Sequence, residues 1–218
     1  MKIPGIIFLS LFGIISVVHL VFCFLESEKY RKITKPFCVL FLGIAAAFLL
    51  PNYPLVYIGA FLGVVGDIFL IKKEKFVLFA IGAVFFTAGH ICYFTQMVKL
   101  LPYVVPWYSY LILAFVLAGF TFGLYPITKK TFGTKALCGN FYMPFLVVML
   151  ALSIAFTVSN RTTYGIPIIC GYVCFLFSDG FLIYTTFIKD IKRRDFYIMA
   201  SYLFAESLIV SGFVLFLF

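Results

Sequence analysis

Apolar residues run along this chain in long blocks, and most of the charged residues fall between the blocks rather than inside them. The blocks can be drawn at about 5 to 25, 36 to 50, 54 to 71, 76 to 98, 104 to 125, 137 to 158, 164 to 188 and 196 to 218. An α-helix needs about 20 apolar residues to cross the hydrocarbon core of a bilayer. The pattern therefore predicts an all-α polytopic membrane protein of about eight transmembrane helices, forming a single transmembrane helical domain over residues 1–218. The second block is short and meets the third at Pro51-Asn52-Tyr53-Pro54, which leaves a re-entrant hairpin open for that pair. Either route returns the chain to the same side.

Composition strengthens this reading: 64% of the residues are hydrophobic and 11% charged, with a mean hydropathy of +1.15, outside the range of soluble domains. The net charge of +9 would otherwise point to nucleic acid, but the basic residues sort by side. Of the 17, fourteen follow the first, third, fifth and seventh blocks, among them Lys29, Arg31, Lys32, Lys35, Lys72, Lys189 and Arg193. The other side keeps only Lys2, Lys99 and Arg161. The positive-inside bias makes the basic side cytoplasmic and both termini non-cytoplasmic, and no nucleic-acid partner is expected. Tyr53, Tyr57, Tyr103, Trp107, Tyr108 and Tyr164 gather at the opposite ends, as an interfacial belt does. The first block is too long for a signal-peptide core and lacks a small-residue cleavage site, so it reads as a retained helix. The 6 cysteines lie in or beside apolar blocks, which argues against a disulfide framework. Cys170 and Cys174, spaced i, i+4, read as small buried hydrophobes rather than a metal site.

Four polar residues depart from the pattern. Glu26, Glu28, Glu74, Asp190 and Asp195 sit among the basic residues, where water solvates them. Asp67 in GVVGDIFLI, Asp179 in FLFSDGFLI, Glu206 in YLFAESLIV and His90 in FFTAGHICYF are embedded in apolar sequence. An aspartate at the centre of a spanning helix costs about 2.5–3.5 kcal/mol on insertion scales, so such groups must face the bundle interior, pair, or stay neutral. Each continues a helical stripe: Tyr172, Asp179 and Thr186; Thr87, His90 and Tyr93; Tyr202 and Glu206. Gly59, Gly63 and Asp67 share a face on which another helix can approach closely. Counted along the helices from the basic side, Asp67 lies at about 7.5 Å, Asp179 at about 15 Å, Glu206 at about 16 Å and His90 at about 22 Å. A purely structural hydrogen-bond network is the plain alternative. FAIGAVFFTA (79 to 88) also aligns weakly with FYIMASYLFA (196 to 205), each following an acid-bearing helix, which would divide the chain into two parallel four-helix halves.

In these residues the chain resembles the lysoplasmalogenase family, the YhhN-like membrane proteins and their animal relatives. The resemblance covers most of the chain: Thr34-Lys35-Pro36, Gly66-Asp67, His90 and Tyr93, Ser178-Asp179, and Tyr202 with Ala205-Glu206-Ser207-Leu208-Ile209. Glu206 departs from the pattern, which usually has glutamine there. The resemblance implies hydrolysis of the vinyl ether of lysoplasmalogens to a fatty aldehyde and a glycerophospho-ethanolamine or -choline, with no cofactor and no metal. Protonating the β-carbon of a vinyl ether gives an oxocarbenium ion that water attacks, so one carboxylic acid and one carboxylate suffice, and burial disfavours the charged form of a carboxyl. Asp179, the deeper and flanked by Phe175 and Leu176, is expected as general acid. Asp67, nearer the interface, is expected to stay ionised, steady the cation and activate water. His90, Tyr93, Ser178, Tyr202 and Glu206 would position water and headgroup, and Lys35 would hold the phosphate or snorkel.

The expected partners are a lysophospholipid substrate and membrane lipids, with a homodimer left open, and the expected location is the endoplasmic reticulum. A proton-coupled carrier also buries carboxylates at mid-membrane, but it must open to both faces, whereas these acids lie toward one. A zinc amidase of the alkaline-ceramidase type needs about three histidines, and this chain has only His19 and His90. A serine hydrolase on Ser178 lacks both a G-x-S-x-G elbow and a nearby histidine in sequence.

Overall fold

The computed structural model describes residues 2–72, 75–103, 105–119 and 137–217. Within them the chain forms eight α-helices: α1 (Lys2–Phe24), α2 (Glu28–Leu49), α3 (Pro54–Phe69), α4 (Phe76–Lys99), α5 (Trp107–Gly119), α6 (Leu137–Ser159), α7 (Ile166–Phe187) and α8 (Arg194–Leu217). A 3₁₀ turn, Leu70–Lys72, extends α3. Seven of these helices are long and apolar enough to cross a membrane, and α5 is the short one at 13 residues. The rest of the expected fifth span, with Lys73, Glu74, Lys129, Lys130 and Lys135, lies outside the described residues.

The largest difference from the sequence reading is α2. Its apolar block begins at Pro36, but the helix begins eight residues earlier and runs for 22, long enough to cross without a re-entrant turn. Lys29, Arg31, Lys32 and Lys35 are therefore helical rather than in a loop. Three of these four charges find carboxylate partners: Lys32 pairs with Glu28 one turn earlier, Arg31 with Asp195, and Lys35 with Asp67. Pro36 lies inside the helix and lacks the amide that would bond the Lys32 carbonyl. At α3 the opposite logic holds, since Pro54 occupies the first turn, where no amide donor is needed.

Consecutive helices pack as antiparallel neighbours, α1 on α2, α2 on α3 and α3 on α4; α4 then packs on α6, α6 on α7 and α7 on α8. The bundle closes because α8 also touches α1, α2 and α3. Tyr93, Tyr172, Phe156, Phe175 and Phe213 are the bulkiest wholly buried side chains. Outward-facing positions are apolar too: Ile3, Ile7, Ile14, Val17 and Val21 of α1 are exposed, as on a helix that lipid surrounds. Cys170 lies on such an outer face and is not a buried hydrophobe; Cys174 is half-buried, and both thiols are free.

Two close approaches pin the bundle. A Cβ on Gly59 would lie 2.7 Å from the Tyr93 ring and 3.0 Å from the Gly89 carbonyl oxygen, so α3 and α4 meet backbone to backbone. A Cβ on Gly171 would lie 2.9 Å from the Ala205 carbonyl oxygen, and α7 and α8 meet in the same way. At the basic end, the turns α1–α2 and α7–α8 pass through left-handed residues, Glu26 at φ 55° and Arg193 at φ 58°. These two turns hold each other: the Arg193 amide donates to the Glu26 carboxylate at 3.0 Å, and the Arg193 guanidinium lies 3.8 Å above the Phe24 ring.

Candidate active site

A narrow cleft opens between α2, α3, α7 and α8 at the end of the bundle where the basic residues gather. Arg31, Lys32 and Asp195 line its mouth, and Lys35, Asp67, Asp179 and Tyr202 line its interior. Asp195, expected in water, has a side chain only 15% exposed; it forms an ion pair with Arg31, and Arg194 Nε lies 3.9 Å away. It departs from expectation because α8 begins at Arg194, which turns Asp195 inward on the first helical turn toward α2.

The two aspartates have different surroundings. Asp67, on α3, is buried; Lys35 Nζ lies 3.2 Å from its Oδ1, and the Tyr202 hydroxyl donates to its Oδ2 at 3.0 Å. One cation and one charge-assisted hydrogen bond are what a buried carboxylate requires. Asp179, on α7, is also buried, but among the described residues no cation pairs with it, and the polar group beside it is the neutral Tyr142 hydroxyl. Both carboxyls face the same cleft.

A second polar layer lies deeper. Glu206 of α8 accepts a hydrogen bond from the Tyr93 hydroxyl at 3.0 Å. Gly63 separates the layers, since a Cβ there would stand 3.6 Å from the Tyr202 hydroxyl and 3.9 Å from Glu206 Oε1. His90 belongs to this deeper layer and does not line the main cleft. Among the described residues neither ring nitrogen has a partner, and the ring sits among aromatics, 4.6 Å from Phe175 and 5.7 Å from Tyr172 between centroids.

The structure brings together Lys35, Asp67, Asp179 and Tyr202, and places Tyr93, Glu206 and His90 one layer beneath. Ser178 lines the cleft, but its hydroxyl donates to the Ile198 carbonyl of α8 at 3.0 Å, so it joins α7 to α8. Thr87 is likewise occupied, donating to the Ala83 carbonyl of its own helix at 2.8 Å. Lys35, expected either at a phosphate or as a snorkelling lysine, is the counter-ion of Asp67.

Sequence reasoning missed Arg31, Lys32 and Asp195 at the mouth, and His19 in the wall. The Thr34 hydroxyl already donates to the Tyr30 carbonyl at 2.9 Å, so it accepts from His19 Nδ1 at 2.7 Å, which leaves Nε2 facing Cys23 Sγ at 3.4 Å. The spacing of His19 and Cys23, one helical turn apart, was a signal for a shared inner face. Among the described residues no group of His, Cys, Asp and Glu side chains is arranged to hold a metal ion.

Fold and site together define a polytopic helical membrane protein with a cleft at its basic end that holds one ion-paired carboxyl and one that, among the described residues, has no counter-ion. The YhhN family model matches residues 9–213, and the chain belongs to the YhhN family, which contains lysoplasmalogenases. No curated protein and no solved structure matches it.

Proposed function

We propose that this protein hydrolyses the vinyl ether of lysoplasmalogens, with Asp179 as general acid and Asp67 as the ionised partner. The observation that carries the reading is the unequal provision of the two carboxyls within one cleft: Lys35 and Tyr202 bond Asp67, and among the described residues no cation is paired with Asp179. A buried carboxyl without a counter-ion is at its least costly when protonated.

Asp179 gives its proton to the β-carbon of the R–CH=CH–O–R′ group, and the electron pair of the double bond forms the new C–H bond. The ether oxygen shares the resulting positive charge as an oxocarbenium ion, which the Asp67 carboxylate steadies. Water then adds to the α-carbon and loses a proton to the carboxyl pair, giving a hemiacetal. Collapse of the hemiacetal breaks the bond to the glycerol oxygen, which takes the hydroxyl proton, and releases R–CH₂–CHO. One water is consumed, and Asp179 ends protonated as it began. Arg31 and Lys32 stand at the mouth, where the phosphate would lie, each already paired with a carboxylate, Asp195 and Glu28, while Lys35 is paired deeper in the cleft with Asp67. The YhhN membership and the run of motifs from Lys35 to Glu206 support the same substrate. The basic end is taken as cytoplasmic, and the membrane as that of the endoplasmic reticulum.

The test offers purified protein a lyso-alkenyl phospholipid beside its saturated-ether and ester analogues. Aldehyde is expected from the alkenyl lipid alone; cleavage of the ester, or no product from any of the three, rejects the proposal.

A further inference from the structure

At its mouth the narrow cleft meets a second space, an open basin of about 490 Å³ at the basic end of the bundle, with Glu26, Lys192, Arg193 and Arg194 in its walls. Among the described residues, Arg31 and Asp195 alone line both spaces, and they form an ion pair from α2 to α8. This pair is therefore the partition between the basin and the cleft that holds Lys35, Asp67 and Asp179. Its side chains are 24% and 15% exposed, so the pair is reached from the basin without being surrounded by water. Asp195 also has a second cation at hand. Arg194 Nε lies 3.9 Å from its Oδ2, the oxygen that Arg31 holds, while Arg194 Nη1 pairs with Asp190 at 3.1 Å.

We infer that the Asp195 carboxylate holds the place of a phosphate on Arg31, and that a lysophospholipid enters by exchange: its phosphate takes Arg31, and Asp195 passes to Arg194. The inference rests on the hydrolase reading and extends it to how the headgroup is recognised. A carboxylate and a phosphate diester each present two oxygens that share a negative charge, and a guanidinium binds either with the same fork of N–H donors. Asp195 moves between two guanidiniums, so the exchange strands no charge, and stranding is what makes the breaking of a shielded ion pair costly. The phosphate needs no vacant volume beside Arg31, because it occupies what the carboxylate leaves. The basin has room for the remainder of the headgroup. Breaking the pair also removes the partition, so the anion that binds is the one that opens the way to Asp67 and Asp179.

The test measures binding to the full-length protein in detergent by native mass spectrometry, with 1-O-hexadecyl lysophosphatidylethanolamine and with 1-O-hexadecylglycerol, which lacks the phosphate. Asp195→Asn removes the competing carboxylate and is expected to bind the phospholipid about two- to five-fold more tightly than wild type, the worth of a partly exposed ion pair, with the alkylglycerol unchanged. Asp195→Ser, a second variant in case the first does not fold, is expected to show the same gain. Arg31→Gln is expected to weaken phospholipid binding by about ten-fold, and adding Asp195→Asn to it is expected to restore nothing. No gain or a loss of phospholipid binding in the Asp195 variants, as when the pair only ties α2 to α8, overturns the inference, and so does an equal gain for the alkylglycerol. Inorganic phosphate is expected to displace the phospholipid only in large excess; displacement at a comparable concentration would make this a site for free phosphate and overturns the inference too. Because neither lipid carries a vinyl ether, the outcome is independent of aldehyde release, which separately tests the hydrolase reading.

Discussion

Asp67 and Asp179 are the same residue type in similar apolar helices, and their neighbours make them different. Lys35 and Tyr202 satisfy Asp67, so the ion pair is a unit whose halves depend on each other. Removing only the cation strands a buried charge, which costs about 3–5 kcal/mol, whereas removing both charges leaves a neutral pair of similar volume. Lys35→Met is therefore expected to lower the melting temperature sharply, and adding Asp67→Asn to recover most of that loss; thermal unfolding in detergent reads both. Equal melting temperatures for the single and double variants would dissolve the pair. Asp67 and Asp179 were legible in the sequence because a charge in an apolar run is costly enough to require a reason. Their partners were not, because the pairing of Lys35 with Asp67 depends on α2 starting at Glu28, and an apolar block cannot show how far a helix continues into charged residues.

At the scale of the helix, glycines decide how close two backbones come. Gly59 and Gly63 read alike in the sequence, one turn apart on α3, but they face different neighbours. A methyl at Gly59 meets the Tyr93 ring at 2.7 Å and the Gly89 carbonyl at 3.0 Å; one at Gly63 has ordinary contacts at 3.6 Å and beyond. Gly59→Ala is expected to destabilise by about 1–3 kcal/mol, the usual cost of overpacking, and Gly63→Ala by much less. Chemical unfolding of both variants measures the difference, and equal losses would contradict the packing described. The glycine strip was visible as a periodicity, but which member carries the close contact depends on the rotation of α3 against α4. Ser178 makes the same point: its hydroxyl bonds the Ile198 carbonyl across to α8, a distance of 20 residues in sequence that no local pattern records.

Across the whole molecule, polar groups are collected toward one end and apolar surface is turned outward. Arg31, Lys32 and Asp195 frame the mouth, and Lys35, Asp67, Asp179 and Tyr202 lie within. The all-helical, multi-pass character followed from the spacing of the apolar blocks, and seven of the described helices are long and apolar enough to cross a membrane. The closure of α8 onto α1, α2 and α3, which assembles the cleft, comes from contacts between distant segments that periodicity does not contain. In the proposed reaction Asp179 delivers a proton to carbon. In heavy water, a lyso-alkenyl lipid should give an aldehyde carrying one deuterium on the carbon next to the carbonyl, and Asp179→Asn should lower the rate by about 10²–10⁴-fold while the protein remains monodisperse. Aldehyde without that deuterium, or an Asp179→Asn variant turning over at close to the normal rate, would contradict it.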